Sequence, residues 1–467
     1  MKQGDKPVHG MWTSRWAFIL AATGSAVGLG NIWKFPYFAG EYGGGAFVLV
    51  YLLCIALVGV PIMVAEVMLG RKGGMSPVHT MKKLAAESKV SRRWAGIGYM
   101  GALAGFLILS FYSVIAGWTL YYIWDMAQGG FQGISAAGSL AHFEGMQANA
   151  WLMLGCHTAF MILTMWVVAR GVSRGLEKAV QVLMPLLFVL LIGLVVYAST
   201  TPGFAQGVNF MFHFDFSKLS GKAVMAALGQ AFFTLSLGMG AIMVYGAYMP
   251  REVKDRRSGQ ARRVSIVSTV GIIALLDTLV ALGAGLVIFP VVFSNGLEPS
   301  QGPGLLFVTL PLAFGQMPAG VIVGTVFFVL VMCSALSSSI SLGEPMVAWL
   351  VERGLGRPLA AVAVGLTAWV IGIGTVLSFN YWKDVTFLVG TFFQNVDFLA
   401  SSLMLPLGGM LIAIFAGWVM KETQARKELA MKSFGLYMVW RAVVRIVAPL
   451  AVAAVLLNAL IGVLGGS

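Results

Sequence analysis

Long apolar runs alternate with short polar or basic breaks along almost the whole chain. A bilayer core needs roughly 20 apolar residues per helix. Eleven runs meet that length, at approximately 13–38, 44–70, 95–127, 150–169, 175–198, 221–249, 263–293, 318–351, 358–379, 385–419 and 437–464. The pattern predicts eleven membrane-spanning helices and an all-α polytopic membrane protein. The run at 95–127 is long enough to tilt or to extend past the bilayer.

Two runs are interrupted. The first breaks around Ala26-Val27-Gly28-Leu29-Gly30, and the sixth around Thr234-Leu235-Ser236-Leu237-Gly238-Met239-Gly240. Each heads a set of five: repeat one over about 13–198 and repeat two over about 221–419. An odd number of spans per repeat turns the second repeat upside down. The expected architecture is one transporter domain over 1–467, an inverted five-helix repeat (5+5) with broken helices 1 and 6. An eleventh helix at about 437–464 is left over. Unwound backbone is tolerated at membrane depth only inside protein or beside a cavity. There, freed carbonyls can coordinate a cation, and N–H groups at a half-helix start can hold a carboxylate. A lone glycine would read as helix packing. Paired breaks in matching positions, each with polar neighbours, read as the central site of a transporter.

Composition agrees: 58% of residues are hydrophobic and 10% charged, against roughly 25% charged in soluble domains. The net charge of +13 would hint at nucleic acid in a soluble protein, but its placement excludes that partner. Of the 31 Lys and Arg, 27 fall on one side of the predicted topology. Only Lys218, Lys222 and Lys383 fall on the other, with Lys34 inside the first span. By the positive-inside rule the N-terminus is cytoplasmic and the C-terminus outside. The N-terminus lacks the layout of a cleavable signal peptide, so the first run is a retained span. No N-x-[ST] acceptor occurs, which fits a plasma membrane of the bacterial inner-membrane kind. Cys54, Cys156 and Cys333 match no metal spacing and read as small buried hydrophobes. H-E-x-x-H and G-x-S-x-G are absent and the five histidines do not cluster, which argues against an intramembrane enzyme.

The strings GSAVGLGNIWKFPYFAGEYGGGAF at 24–47 and QAFFTLSLGMGAIMVYGAY at 230–248 resemble the first- and sixth-span signatures of the neurotransmitter:sodium symporter family, in its bacterial amino-acid branch. That family, with its LeuT-type fold, is itself a standing example of broken-helix transporters. The resemblance implies Na⁺-coupled inward symport, with two Na⁺ and no organic cofactor. The implied partners are an amino-acid substrate and membrane lipid, with the protein a monomer or a weak dimer. The substrate carboxylate would meet the N–H groups of Leu29 and Gly30 and the Tyr112 hydroxyl. Its ammonium would meet carbonyls of Ala26, Phe233 and Thr234, and the Ser236 hydroxyl. Monoamine carriers of the family have an acid where this chain has Gly28, so the substrate should bring its own carboxylate. The implied side-chain pocket is Ser25, Ile108, Phe233, Met239, Ser338 and Leu342. It holds no charge, which favours a neutral apolar or aromatic amino acid.

The resemblance also implies two cation sites. The first takes the Ala26 carbonyl, Asn31, Thr234, Asp277 and the substrate carboxylate. The second takes carbonyls of Gly24, Val27 and Ser334 with hydroxyls of Ser337 and Ser338. All-oxygen sets suit a hard cation. Asp277 is a carboxylate in an otherwise apolar span, costly there and usually functional. It stands where chloride-dependent relatives have Asn, with Ala281 one turn on. Chloride-independent transport follows, with proton exchange at Asp277 as a further possibility. Lys34 and Asp397 match the outer gate, looser than the family's Arg pair, with Phe233 and Tyr112 as the lid beneath. Trp12, Tyr248 and Glu352 match the inner gate, where His9 or Lys6 would replace the family's arginine. Glu66 would brace the unwound sixth span, and Glu344 has no assigned role. Two rival readings stay open: a proton-coupled transporter of the same fold, and an amino-acid sensor without net transport.

Overall fold

The computed structural model describes residues 9–254, 261–298, 304–431 and 433–464; Lys2 and Lys6 lie outside them. Among the described residues nine helices are long and apolar enough to cross a membrane, and one further pair is bent by 52° at a short break. The bent pair, Arg15–Ala26 and Gly30–Glu41, is span 1. Spans 2 to 5 are Gly45–Gly73, Arg92–Ala127, Ala150–Ala169 and Val172–Ser199. Span 6 is two short helices, Gly221–Thr234 and Ala241–Ala247, on either side of residues 235–240. Spans 7 to 11 are Ile266–Ser294, Gly320–Glu352, Arg357–Leu377, Phe392–Val419 and Phe434–Gly462. The architecture is the expected all-α one, broken at the first and sixth spans.

The boundaries have local causes. Ser14 opens span 1 by accepting the Ala17 N–H at 3.1 Å, relieving one unpaired donor of the first turn. Span 10 begins at Phe392 and not near 385, because Thr391 and Gln394 form a reciprocal capping box there. Five further helices are too short to cross a bilayer: Pro77–Glu87, Ala136–Ala148, Phe204–Phe212, Leu305–Gln316 and Glu422–Leu429. A two-stranded antiparallel hairpin pairs Glu252–Lys254 with Ala261–Arg263. Of the cysteines only Cys333 is fully buried; Cys54 and Cys156 are half-buried.

Burial separates the centre from the edge. Span 3 has 83% of its apolar window buried, span 11 only 17%. Span 3 runs along span 8, and the first half of span 1 packs against spans 5, 7 and 8. Span 11 leans on span 10 and the first half of span 6. Both breaks therefore sit at the core. Span 2 meets the second half of span 6 at bare glycine: a methyl group on Gly70 would lie 2.0 Å from the Met243 carbonyl oxygen. One on Gly246 would lie 2.8 Å from the Val67 carbonyl oxygen.

Candidate functional site

The first helix of span 1 stops because Val27 turns extended, with ψ 108°. The freed backbone groups find partners at once. Gly28 N–H donates to Asn31 Oδ1 at 3.0 Å, and Leu29 N–H faces the Tyr112 hydroxyl at 3.4 Å. Gln230 Nε2 donates to the Gly30 carbonyl at 2.7 Å. An unpaired peptide group in a dry interior costs several kcal/mol, so these side chains are what permits the break. Gly28 is required by space: a methyl there would lie 2.7 Å from Ser338 Oγ and 3.1 Å from the Tyr112 hydroxyl.

The span 6 break is built from left-handed residues: Ser236 at φ 53°, Gly238 at 79° and Gly240 at 74°. Glycine adopts this region freely, whereas a side chain costs roughly 1–2 kcal/mol. Ser236 offsets that strain by donating from its hydroxyl to the Ser25 carbonyl at 2.7 Å, which ties the two breaks together. The Glu66 carboxylate, fully buried on span 2, accepts the Gly238 N–H at 3.1 Å. This is the brace expected of Glu66.

Between the breaks lies a hollow lined by Ser25, Ala26, Gly28, Leu29, Gly30, Ile108, Tyr112, Phe233, Ser236, Met239, Ser338 and Leu342. No charged side chain lines it. Its free space is about 20 Å³, close to that of one water, so anything larger displaces Phe233 or the flexible Met239. Of the residues expected around a substrate, only Thr234 is absent from the lining. Its hydroxyl instead donates to the Asp277 carboxylate at 3.1 Å.

Two oxygen-rich clusters flank the hollow. In one, Asn31 Nδ2 donates to Asp277 Oδ1 at 2.8 Å while Thr234 approaches the same carboxylate. In the other, Ser338 Oγ lies 2.9 Å from the Val27 carbonyl and 3.2 Å from that of Gly24. Ser337 Oγ donates to the Ser334 carbonyl at 2.9 Å. Asn31, Thr234 and Asp277 thus meet in one group and Gly24, Val27, Ser334, Ser337 and Ser338 in another, while Ala26 lines the hollow between them; oxygen donors of this kind suit a small hard cation.

The two ends of the hollow are closed unequally. Toward Lys34, the Phe233 ring is the partition, since it lines both the hollow and a larger outer cavity of about 210 Å³. Lys34 and Asp397 both line that cavity. Among the described residues no ion pair joins them. Lys34 Nζ lies 4.1 Å above the Phe233 ring, and Asp397 accepts the Ser401 hydroxyl at 2.6 Å. Toward the N-terminus the seal is thick. Trp12 is buried, with its N–H on the Tyr248 carbonyl at 3.0 Å and its indole Nε1 on the Tyr245 carbonyl at 3.1 Å. Glu352 lies below, 2.9 Å from His9 Nε2.

The model of the sodium:neurotransmitter symporter family matches residues 9–132 and 134–464. The chain belongs to this family. It is a multi-pass, sodium-dependent transporter, and the family is one of transporters, not enzymes. This symporter is 39% identical to YhdH of Bacillus subtilis, an uncharacterized sodium-dependent transporter, over 98% of this chain and 99% of the relative. It is 32% identical to an uncharacterized sodium-dependent transporter of Haemophilus influenzae, over 96% and 97% of the two chains. It superposes on the crystal structure of MhsT in complex with L-phenylalanine with a TM-score of 0.86, at 44% identity, covering 96% of this chain and 99% of that one.

Three polar partners were not legible from sequence. His79 also bonds the Glu352 carboxylate, and Ser76 donates its N–H to it at 2.6 Å. Arg357 pairs with Glu344 at 2.5 Å, and Glu344 in turn accepts the Tyr248 hydroxyl at 2.7 Å. Glu344 therefore belongs to the N-terminal seal. His79 and Arg357 read in the sequence as ordinary basic loop residues; only the apolar setting of Glu344 signalled that a buried cation must lie nearby.

Proposed function

We propose that the protein imports a neutral L-amino acid with an apolar or aromatic side chain, coupled to two Na⁺, by alternating access and without need of chloride. One observation carries this reading. The hollow is lined by Ala26, Leu29 and Gly30 of the span 1 break, where a zwitterion can meet the backbone, while its remaining wall is uncharged and Gly28 offers no carboxylate. A substrate with its own carboxylate and no charged side chain is what such a wall accepts. Tyr112 would hold that carboxylate with the Leu29 and Gly30 N–H groups. The ammonium would sit among Ala26, Phe233 and Ser236, with Thr234 contributing its carbonyl. The capture of L-phenylalanine by MhsT agrees.

Na⁺ is cargo here. Ala26, Asn31, Thr234 and Asp277 would hold one ion together with the substrate carboxylate, coupling the two directly. Gly24, Val27, Ser334, Ser337 and Ser338 would hold the other. Asp277 supplies the fixed negative charge that chloride supplies in chloride-dependent relatives. Lys34, Asp397 and Phe233 form the outer gate; Trp12, Tyr248, Glu352 and His9 form the inner one. The chain would form repeats at about 13–198 and 221–419 with an extra helix at about 437–464, in a bacterial inner membrane; the bias of Lys and Arg to one side supports a cytoplasmic N-terminus and an outside C-terminus. All residues that line the hollow come from one chain, which suits a monomer or a weak dimer.

The test is uptake into proteoliposomes under an inward Na⁺ gradient. Labelled phenylalanine should accumulate, and leucine, tryptophan and tyrosine should compete while lysine and glutamate do not. Accumulation driven by a proton gradient in the absence of Na⁺ would point instead to proton coupling. Saturable binding with no accumulation would mark a sensor.

A further inference from the structure

The segment between spans 10 and 11 holds four basic residues, Lys421, Arg426, Lys427 and Lys432, against two acids, Glu422 and Glu428. Both acids are already engaged: Glu428 pairs with Arg71 at 2.7 Å, and Glu422 pairs with Arg441. Arg426 and Lys427 are exposed and, among the described residues, have no carboxylate partner. Both line a cavity of about 450 Å³ with Thr423, Ser433, Phe434 and Tyr437, and no acidic side chain lines it. The Arg426 guanidinium lies 4.8 Å from the Phe434 ring centre and 5.9 Å from that of Tyr437.

The position of the cavity limits its occupant. The Arg71–Glu428 pair joins it to the end of span 2, the end that leads to Ser76, His79 and Glu352. It therefore lies at the N-terminal face, beside the first turns of span 11. Phe434, Leu436 and Val439 there are 55%, 52% and 62% exposed. Apolar side chains so exposed at the mouth of a spanning helix face lipid. The cavity combines excess positive charge, two hydroxyls and two aromatic walls at the depth of the headgroups.

We propose that this cavity binds a phosphate group, carried by an anionic phospholipid of the leaflet on the N-terminal side. Arg426 presents a planar fork suited to two phosphate oxygens, and Lys427 adds a point charge. Thr423 and Ser433 donate to the remaining oxygens. Phe434 and Tyr437 flank the glycerol and the first acyl carbons. Basic pockets between spanning helices on a positively flanked face are of this kind.

The full-length protein in a neutral detergent, read by native mass spectrometry, tests this with three probes: phosphatidylglycerol, phosphatidylcholine and inorganic phosphate. Phosphatidylglycerol should be retained over phosphatidylcholine, and Arg426→Ala with Lys427→Ala should weaken its retention about tenfold. Arg92→Ala with Arg93→Ala removes equal charge from the same face and should leave retention unchanged. Arg426→Lys keeps the charge but loses the fork and should fall between. Melting temperatures of the lipid-free variants check that each is folded. Retention of inorganic phosphate with no preference between the lipids would uphold the phosphate site and assign it a soluble ligand. Equal phosphatidylglycerol retention by the wild type and both double variants overturns the proposal, as does retention of neither phosphatidylglycerol nor phosphate.

Discussion

Asn31 joins the break in span 1 to span 7: it accepts the Gly28 N–H at 3.0 Å and donates to the Asp277 carboxylate at 2.8 Å. Asp277 is the only charged residue of its span. If its charge does the work of an anion, Asp277→Asn should lose Na⁺-driven uptake in gluconate medium. Apparent Na⁺ affinity should fall about tenfold or more, since hydrogen bonds to charged groups are worth roughly 1.5–3 kcal/mol. Chloride should restore part of the loss. A variant that transports as well as wild type in gluconate would remove the charge-replacement idea.

Gly28 faces Ser338 and Tyr112 with no room for a methyl group. Gly28→Ala should therefore weaken substrate binding about tenfold, the effect of overpacking by roughly 1–3 kcal/mol. Equilibrium binding of labelled phenylalanine to purified protein measures this. Unchanged affinity would mean that substrate binds elsewhere.

Glu352 is gripped by His9 and His79, from the N-terminal segment and the helix Pro77–Glu87. Both imidazoles, with the Ser76 N–H at 2.6 Å, hold this carboxylate in place. His9→Ala with His79→Ala removes two hydrogen bonds to a charged group, worth roughly 1.5–3 kcal/mol each. Substrate exchange across liposomes should then speed up about tenfold or more. Unchanged exchange in the double variant would show that the clasp does not set the rate.

Glu344 is fully buried and accepts from both Tyr248 and Arg357. Glu344→Gln leaves the Arg357 cation without its carboxylate, at a cost of about 3 kcal/mol. Thermal melting in detergent should show the loss, and adding Arg357→Met should recover most of it. No recovery in the double variant would mean that Glu344 acts through other partners.

The spans and the two breaks were legible because the bilayer fixes helix length and punishes unpaired backbone, so Gly28, Gly238 and Gly240 stand out against their surroundings. The hollow's lining was legible through the family resemblance, anchored by two short strings and carried over to Ile108, Tyr112, Ser338 and Leu342 on spans 3 and 8. The polar contacts of the N-terminal seal were not. His79 and Arg357 meet Glu352 and Glu344 only after the helix Pro77–Glu87 and the start of span 9 have packed, and no periodicity records such meetings. The short helices were missed because their apolar stretches fall below the length that a bilayer demands. Lys34 and Asp397 were legible as two charges near one another, and they line one cavity, but the contact each makes was not. The Lys34 ammonium rests on the Phe233 ring, a geometry that the pairing of opposite charges in sequence does not suggest.

Span 2 and the short half of span 6 touch through Gly70 and Gly246 with no slack. A helix of seven residues, Ala241–Ala247, does not hold its own shape in isolation; it borrows rigidity from the neighbour it fits. Any tilt of that fragment is therefore a tilt of the longer rod as well. Because Arg71 follows Gly70 directly and clasps Glu428, span 2 physically ties that fragment to the basic segment between spans 10 and 11.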